Sequence, residues 1–206
     1  MKLYDFPFSP NCRKVRAVAY ELGIAFEPVP VNLVRGESRT PAFLAKNPNG
    51  RVPVLEDGDV ILWESTAIMR YLASGSSLVP AGRRAAAEMD RWIAWQLAHL
   101  GPALSKVAFE KIVKKLTGLG APDLARIEEG TAEFAQLSAI LDGALADREF
   151  VAGSLSLADF ALAGHYSLAG ATGLSLAAHP RVEAWLARVC GRDSMKRALA
   201  DAQGAR

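Results

Sequence analysis

The chain has 206 residues, of which 50% are hydrophobic and 22% are charged, and its formal net charge is +2. This composition allows one large domain or two small ones with a sizeable core, and it argues against a disordered chain. Because lysine and arginine are dispersed among acids, we expect neither a nucleic-acid groove nor a polybasic membrane patch.

The apolar segments and the cysteines indicate a cellular compartment. The first 30 residues contain no continuous apolar segment before a small-residue cleavage site, so we expect no signal peptide. Residues 161–178 are apolar but are interrupted by His165 and by glycines, which favours a buried helix over a membrane span. Cys12 and Cys190 are far apart and suggest no disulfide framework. They indicate a reducing compartment, which we expect to be the cytoplasm.

Strand and helix patterns alternate along the first part of the chain. The predicted elements are a strand at 2–6, a helix at 11–22, a strand at 26–33 and a short helix at 41–45. Pro28 and Pro30 cannot donate hydrogen bonds to a sheet, so the second strand should lie at a sheet edge. The cluster Arg13, Lys14 and Arg16 is predicted to form the solvated face of the first helix.

A hairpin and a helix complete this part of the chain. Two short apolar runs, at 52–55 and 60–63, flank the turn residues Asp57-Gly58-Asp59 and predict paired strands. Pro53 suits a strand start, and a cis bond before it would turn the Val52 backbone outward to pair with an extended peptide. Only about 5–6% of X-Pro bonds are cis in folded proteins, so the residues alone do not predict one.

Glu64 and Ser65 lie where the helix predicted at 66–73 begins. Free N–H groups and the positive end of a helix dipole favour a carboxylate there, and Glu64 could accept an ammonium group. A γ-glutamyl group carries both charges. The alternative is that Ser65 or Glu64 merely caps the helix.

The organisation changes after a segment rich in glycine, serine and proline, which predicts a linker at 76–82. Residues 83–206 show helical patterns and no convincing strand. The predicted helices cover 83–116, with a kink at Gly101-Pro102, and then 123–146, 157–171, 181–189 and 194–202. Ser156 and Asp159 have the spacing of a capping box.

The predicted fold is therefore an α/β domain at 1–75, with the βαβ and then ββα order of thioredoxin-like domains, followed by an all-α domain at 83–206.

Within the first domain, Ser9 comes directly after the first strand and before the first helix. The spacing Ser9-Pro10-Asn11-Cys12 is that of a Cys-x-x-Cys motif in which a hydroxyl replaces the first thiol. A hydroxyl at this position could donate a hydrogen bond to a bound thiol and favour the nucleophilic thiolate. The alternative is that Ser9 is an ordinary helix cap.

Several motifs together resemble the cytosolic glutathione S-transferase family. They are Ser9-Pro10-Asn11-Cys12-Arg13, Asn47-Pro48-Asn49-Gly50-Arg51-Val52-Pro53, Trp63-Glu64-Ser65, Ser156-Leu157-Ala158-Asp159 and Pro180-Arg181-Val182-Glu183-Ala184-Trp185. Their order and spacing are similar to those of serine-type bacterial members, which are related to the theta and phi classes. The resemblance covers essentially the whole chain.

The resemblance implies roles for individual residues and for partners. Ser9 would activate glutathione, a co-substrate that is used without a metal ion. A small hydrophobic electrophile would bind against the first long helix, and the protein would form a homodimer. The implied glutathione contacts are the Val52 backbone beside Pro53 for the cysteinyl group, Glu64 and Ser65 for the γ-glutamyl end, and Arg39 and Arg51 for the glycine carboxylate.

The resemblance places the electrophile near Leu97, Leu100, Leu104, Phe109 and Tyr166, but we expect most of these residues to belong to the domain core. Two other functions stay open. The first is a glutathione-dependent thiol-disulfide oxidoreductase that works through Cys12. The second is a non-catalytic binding protein with the same fold.

Overall fold

The computed structural model describes residues 1–204, with side chains described as far as residue 202. The chain forms two compact units. One comprises Met1–Val79 together with the residues from Gly191 onward, and the other comprises Pro80–Cys190. The division after Val79 falls inside the segment predicted as a linker.

A four-stranded mixed sheet forms the centre of the first unit. The strands are β1 (Lys2–Asp5), β2 (Glu27–Pro30), β3 (Val54–Asp57) and β4 (Val60–Trp63), in the order β2-β1-β3-β4. β1 pairs parallel with β2 and antiparallel with β3, and β3 pairs antiparallel with β4. The proline-containing strand β2 is at the sheet edge, as predicted, because its two prolines remove ladder donors.

Three helices accompany these strands in the thioredoxin-like order. They are α1 (Pro10–Glu21), α2 (Pro41–Leu44) and α3 (Ser65–Leu72), and a single 3₁₀ turn, Glu37–Arg39, precedes α2. Asp57 pairs with Val60 across the hairpin, so Gly58 and Asp59 form a two-residue turn. The predicted βαβ and ββα order is confirmed.

The second unit is helical, as predicted. Its first helical stretch is continuous from Arg83 to Thr117: α4 (Arg83–Trp95), a π-helical segment (Gln96–Leu100), α5 (Gly101–Ala108), a second π-helical segment (Phe109–Val113) and α6 (Lys114–Thr117). The helices that follow are α7 (Leu124–Ala144), α8 (Leu157–Tyr166), α9 (Ala169–Thr172) and α10 (Pro180–Cys190). A π-helical segment ends where Gly101-Pro102 predicted a kink.

The capping box at the start of α8 is present. The Asp159 carboxylate accepts hydrogen bonds from the backbone N–H of Ser156 at 2.9 Å and of Val151 at 3.0 Å. It also accepts one from the indole N–H of Trp185 on α10 at 2.9 Å. This buried carboxylate therefore joins α8, the segment before it and α10.

The last helix, α11 (Asp193–Gly204), differs from the predicted domain division. The sequence pattern predicts 194–202 as part of the all-helical domain, whereas α11 packs along α1 in the first unit. Arg16 on α1 donates to Asp201 at 2.6 Å, and Arg192, just before α11, forms an ion pair with Glu21. Residues 205–206 of the predicted domain lie outside the described residues.

The charged cluster on α1 corrects another prediction. Arg13, Lys14 and Arg16 were expected on a solvated face, but they are only 5%, 0% and 5% exposed. The physical reason is that α1 packs against both α3 and α11, so these elements cover more than its apolar face.

Within the described residues, no helix combines the length and the apolar character that a membrane crossing requires.

Candidate active site

Ser9 occupies the N-cap position of α1, directly after the turn that follows β1. Its backbone is extended, with φ −69° and ψ 127°, and its N–H donates to the Phe6 carbonyl at 2.8 Å. Pro10 is the first helical residue, and the Ser9 side chain makes no capping hydrogen bond. The capping interpretation of Ser9 therefore lacks the hydrogen bond that defines a side-chain cap.

Cys12 lies one turn further along α1 and is completely buried. Burial raises the pKa of its thiol to about 12, while hydrogen bonds from the Phe6 N–H and the Ser9 side chain act in the opposite direction. The Phe6 nitrogen is 3.4 Å from the sulfur. Because the thiolate is the reactive form, this environment is unfavourable for a working thiol.

The Val52-Pro53 peptide bond is cis. The ladder between β1 and β3 ends at the pair Tyr4 and Val54, so Val52 lies beyond it. The half-buried Val52 side chain packs against the cluster Val31, Phe43 and Val54, which holds this turn on the sheet.

Glu64 and Ser65 form the junction between β4 and α3. Glu64 has φ 72° and ψ 109°, a conformation that costs a non-glycine residue about 1–3 kcal/mol, and its exposed side chain makes no capping hydrogen bond. Ser65 is 5% exposed, and its hydroxyl donates to Asn11 Oδ1 at 3.3 Å. This contact brings the start of α3 to the first turn of α1, two residues from Ser9.

The loop before Val52 is held by the buried Asn47. Its side-chain amide donates to the Arg51 carbonyl at 2.6 Å, and its Oδ1 accepts from the Asn49 N–H at 3.0 Å. Arg39 reaches the same loop and donates to the Asn49 carbonyl at 3.1 Å. Arg39 and Arg51 are both exposed, so one cationic side chain belongs to this loop and a second contacts it.

Gly50 allows Arg39 to approach this loop closely. Gly50 has φ +61°, and an added Cβ would lie 2.6 Å from Arg39 Nη1 and 2.9 Å from the Ser38 carbonyl oxygen. Gly58 in the hairpin has nearly the same φ of +62° but open space around it. We expect Gly50→Ala to lower the free energy of unfolding by about 2–4 kcal/mol and Gly58→Ala by about 1–2 kcal/mol. Urea denaturation of both variants measures the difference, and equal losses would contradict a contribution from the close approach.

Lys14 on α1 is completely buried. Burial lowers the pKa of its ammonium group to about 7, and the Glu64 carboxylate acts in the opposite direction. Lys14, Asn11 and Asn47 are not among the site residues predicted from the sequence. The Asn-Pro-Asn-Gly spacing around Asn47 is a turn signal that could have identified that residue, since asparagine side chains often bond the backbone two residues on.

The residues expected near the electrophile divide into two groups within the helical unit. Leu100, Leu104 and Tyr166 are at most 1% exposed and belong to its core, in agreement with the expectation that most of the five residues are core. The Tyr166 hydroxyl is paired with Ser138 at 3.2 Å. Leu97 and Phe109 are 46% and 38% exposed and remain accessible.

Among the described residues, no cluster of three or more histidine, cysteine, aspartate or glutamate side chains forms a candidate metal site.

The sheet order and the helix α1 that follows Ser9 define the first unit as a thioredoxin-like domain. This unit matches the family model described as glutathione S-transferase, N-terminal domain, over residues 3–78. Glutathione S-transferase 3 of Zea mays is 37% identical over 97% of this chain and 93% of its own length. The crystal structure of glutathione transferase F7 from Populus trichocarpa has 30% identity and a TM-score of 0.90 over 98% of both chains.

A third comparison extends over all of the present chain. Glutathione S-transferase I from mais, solved in complex with an atrazine glutathione conjugate, is 29% identical with a TM-score of 0.91, covering 100% of this chain and 99% of that chain. Together these similarities show that the chain belongs to the glutathione S-transferase family of enzymes.

Proposed function

We propose that the chain binds glutathione at the starts of α1 and α3 and that the Ser9 hydroxyl stabilises the glutathione thiolate for transfer to a small hydrophobic electrophile. The observation that carries this proposal is the Ser9 hydroxyl itself. It lies at the N-terminus of α1 without a capping hydrogen bond, and Asn11 and Ser65 connect its turn to α3.

The remaining contacts follow from the chemistry of a tripeptide. The Val52 backbone, next to the cis bond to Pro53, would pair with the cysteinyl group. Glu64 would accept the γ-glutamyl ammonium, and Ser65 with the α3 N-terminus would bind the adjacent carboxylate. Arg51, which lies in the Asn47 loop, and Arg39, which contacts that loop, would bind the glycine carboxylate through charge-assisted hydrogen bonds.

The reaction joins sulfur to carbon. The glutathione thiol loses its proton to solvent, the thiolate attacks the electrophilic carbon, and the leaving group departs with its bonding electrons. A thiol with a pKa of about 8.5 is only a few per cent ionised at neutral pH. Lowering that pKa by about two units requires roughly 2.7 kcal/mol, which one charge-assisted hydrogen bond and a helix N-terminus can largely supply.

The finer assignments belong to the same proposal. The atrazine glutathione conjugate bound to the mais enzyme supports a small hydrophobic electrophile, and the exposed Leu97 and Phe109 are candidates to contact it. We also propose that the protein forms a homodimer and is located in the cytoplasm. Within the family, we propose that it belongs to a serine-type bacterial subgroup near the theta and phi classes. The complete burial of Cys12 weighs against the oxidoreductase alternative.

The test is conjugation of glutathione to 1-chloro-2,4-dinitrobenzene as a function of pH. We expect Ser9→Ala to lower kcat/KM about 100-fold near pH 6.5, with a smaller loss at high pH where glutathione ionises unaided. The apparent pKa of the pH profile should rise by about two units. Cys12→Ala is the matched control on the same helix turn and should retain activity within about threefold.

Three results would overturn parts of this assignment. Unchanged activity in Ser9→Ala with loss in Cys12→Ala would transfer the role to Cys12. An unchanged pH profile in Ser9→Ala would exclude thiolate stabilisation by the hydroxyl. Glutathione binding by the unmodified protein without conjugation of any compound in a broad panel of electrophiles would favour the non-catalytic alternative.

A further inference from the structure

The two arginines proposed to bind the glycine end of glutathione carry more positive charge than that end can neutralise. Arg39 and Arg51 are exposed, and neither guanidinium forms an ion pair with any residue that the structure describes. Lys46 differs, because its ammonium group is paired with the Glu56 carboxylate. The carboxylate of Glu37 accepts a backbone N–H at 2.6 Å. A single glycine carboxylate would therefore leave one positive charge at this loop without a partner.

The Asn47 loop holds the two arginines close to each other in the chain. Arg39 Nη1 donates to the Asn49 carbonyl at 3.1 Å, and a Cβ added to Gly50 would lie 2.6 Å from the same nitrogen. The Arg39 guanidinium therefore lies against the turn that directly precedes Arg51. The Cα atoms of Gly50 and Arg51 are about 3.8 Å apart, which is the fixed spacing across a trans peptide bond.

Arg51 also lies next to the backbone that is proposed to pair with the cysteinyl group, because Val52 follows it directly. In an antiparallel pair, the residue after the cysteinyl group lies opposite the residue before Val52, which is Arg51. The γ-glutamyl group then lies on the side of Pro53, in agreement with its proposed contacts at the start of α3. The C-terminal residue of the peptide would thus lie beside Arg51, and glycine has no side chain at that position.

We propose that this site prefers γ-glutamyl-cysteinyl peptides whose C-terminal residue carries a second carboxylate, such as γ-glutamyl-cysteinyl-glutamate. Arg39, which is held by the Asn49 carbonyl, binds the terminal carboxylate, and Arg51 binds the side-chain carboxylate. A guanidinium presents parallel N–H donors that fit both oxygens of one carboxylate, so two arginines suit two carboxylates. The inference rests on the proposed glutathione site but not on the role of Ser9.

The test measures the binding of three S-methylated peptides by isothermal titration calorimetry. The peptides share the γ-glutamyl-cysteinyl part and end in glycine, glutamine or glutamate, and the methyl group makes binding independent of thiolate formation. At low ionic strength, the glutamate peptide should bind about fivefold more tightly than the glutamine peptide, which is the effect of one exposed ion pair. In about 1 M salt this preference should nearly disappear, because exposed charges are then screened.

Three variants assign the preference to individual side chains. Arg51→Gln should remove the preference for glutamate over glutamine. Arg39→Gln should weaken the binding of all three peptides and keep the preference. Arg35→Gln removes another exposed cation of the same unit and should change neither quantity. Because all three arginines are exposed, the circular dichroism spectra of the variants should match that of the unmodified protein.

The outcomes separate this inference from the proposed function. Equal affinity for the glutamate and glutamine peptides, with S-methylglutathione bound, would overturn the preference alone. Loss of the preference in Arg35→Gln to the same extent as in Arg51→Gln would overturn the assignment to Arg51, since the net charge of the unit would then account for it. No binding of S-methylglutathione would overturn the proposed glutathione site and this inference with it.

Discussion

Asp5→Ala is expected to lower the free energy of unfolding by about 3–5 kcal/mol. Asp5 is completely buried at the end of β1, and its carboxylate accepts two hydrogen bonds from the Arg16 guanidinium, one of them at 3.0 Å. Without it, the Arg16 guanidinium keeps its contacts with Asp201, Tyr20 and the Phe26 ring, but the residue is only 5% exposed and its charge loses its buried partner. Urea denaturation followed by circular dichroism measures the loss.

Two further variants separate the buried pair from the more accessible contact. Asp201 is partly exposed, so Asp201→Ala should cost only about 1 kcal/mol. The double variant Asp5→Leu with Arg16→Met replaces both charges by apolar groups and should recover most of the stability lost in Asp5→Ala. A loss below about 1 kcal/mol in Asp5→Ala would show that water or Asp201 compensates the Arg16 charge.

Asp159→Ala is expected to destabilise the helical unit by about 3–5 kcal/mol. The carboxylate accepts from Ser156, Val151 and Trp185, and its removal leaves these buried donors without a partner. Asp159→Asn keeps one carbonyl oxygen and should lose about half as much. Thermal unfolding monitored by Trp fluorescence checks both values.

Asp123 provides the matched control for this prediction. It is the N-cap of α7, where its side chain accepts from the Ala125 and Arg126 N–H groups, but it is exposed to solvent. Asp123→Ala should therefore cost only about 1 kcal/mol, the usual value for an exposed cap. Similar losses for Asp123→Ala and Asp159→Ala would contradict a special contribution from the buried carboxylate.

Local signals account for the elements that sequence predicted well. The prolines at 28 and 30 remove donors from one strand, which is enough to place β2 at an edge. Glycine at 58 favours the positive φ of a tight hairpin turn, and β4 has the predicted bounds. The side chains of Ser156 and Asp159 each accept a hydrogen bond from the other residue's backbone N–H within a single helical turn. Their spacing alone therefore identifies the start of α8.

Burial and pairing between distant segments were not predictable in the same way. A charged residue such as Arg16 gives the same sequence pattern whether it faces water or two carboxylates, and its partners are 11 and 185 residues away. The same limit applies to the candidate site. The positions of Ser9 and Glu64 follow from local helix starts, whereas the contact between Ser65 and Asn11 spans 54 residues and depends on the tertiary fold.

The position of α11 has a consequence for the order in which the protein can assemble during synthesis. Ribosomes make the chain from its N-terminus, and domains generally fold as units while they emerge. The first unit cannot be completed as it emerges. Asp201 and Arg192, the partners of Arg16 and Glu21, are translated after all of Pro80–Cys190. All residues of the helical unit are therefore synthesised before α11, the last helix of the first unit. Until then, Glu21 lacks Arg192, and Arg16 has Asp5 but not Asp201 as a partner.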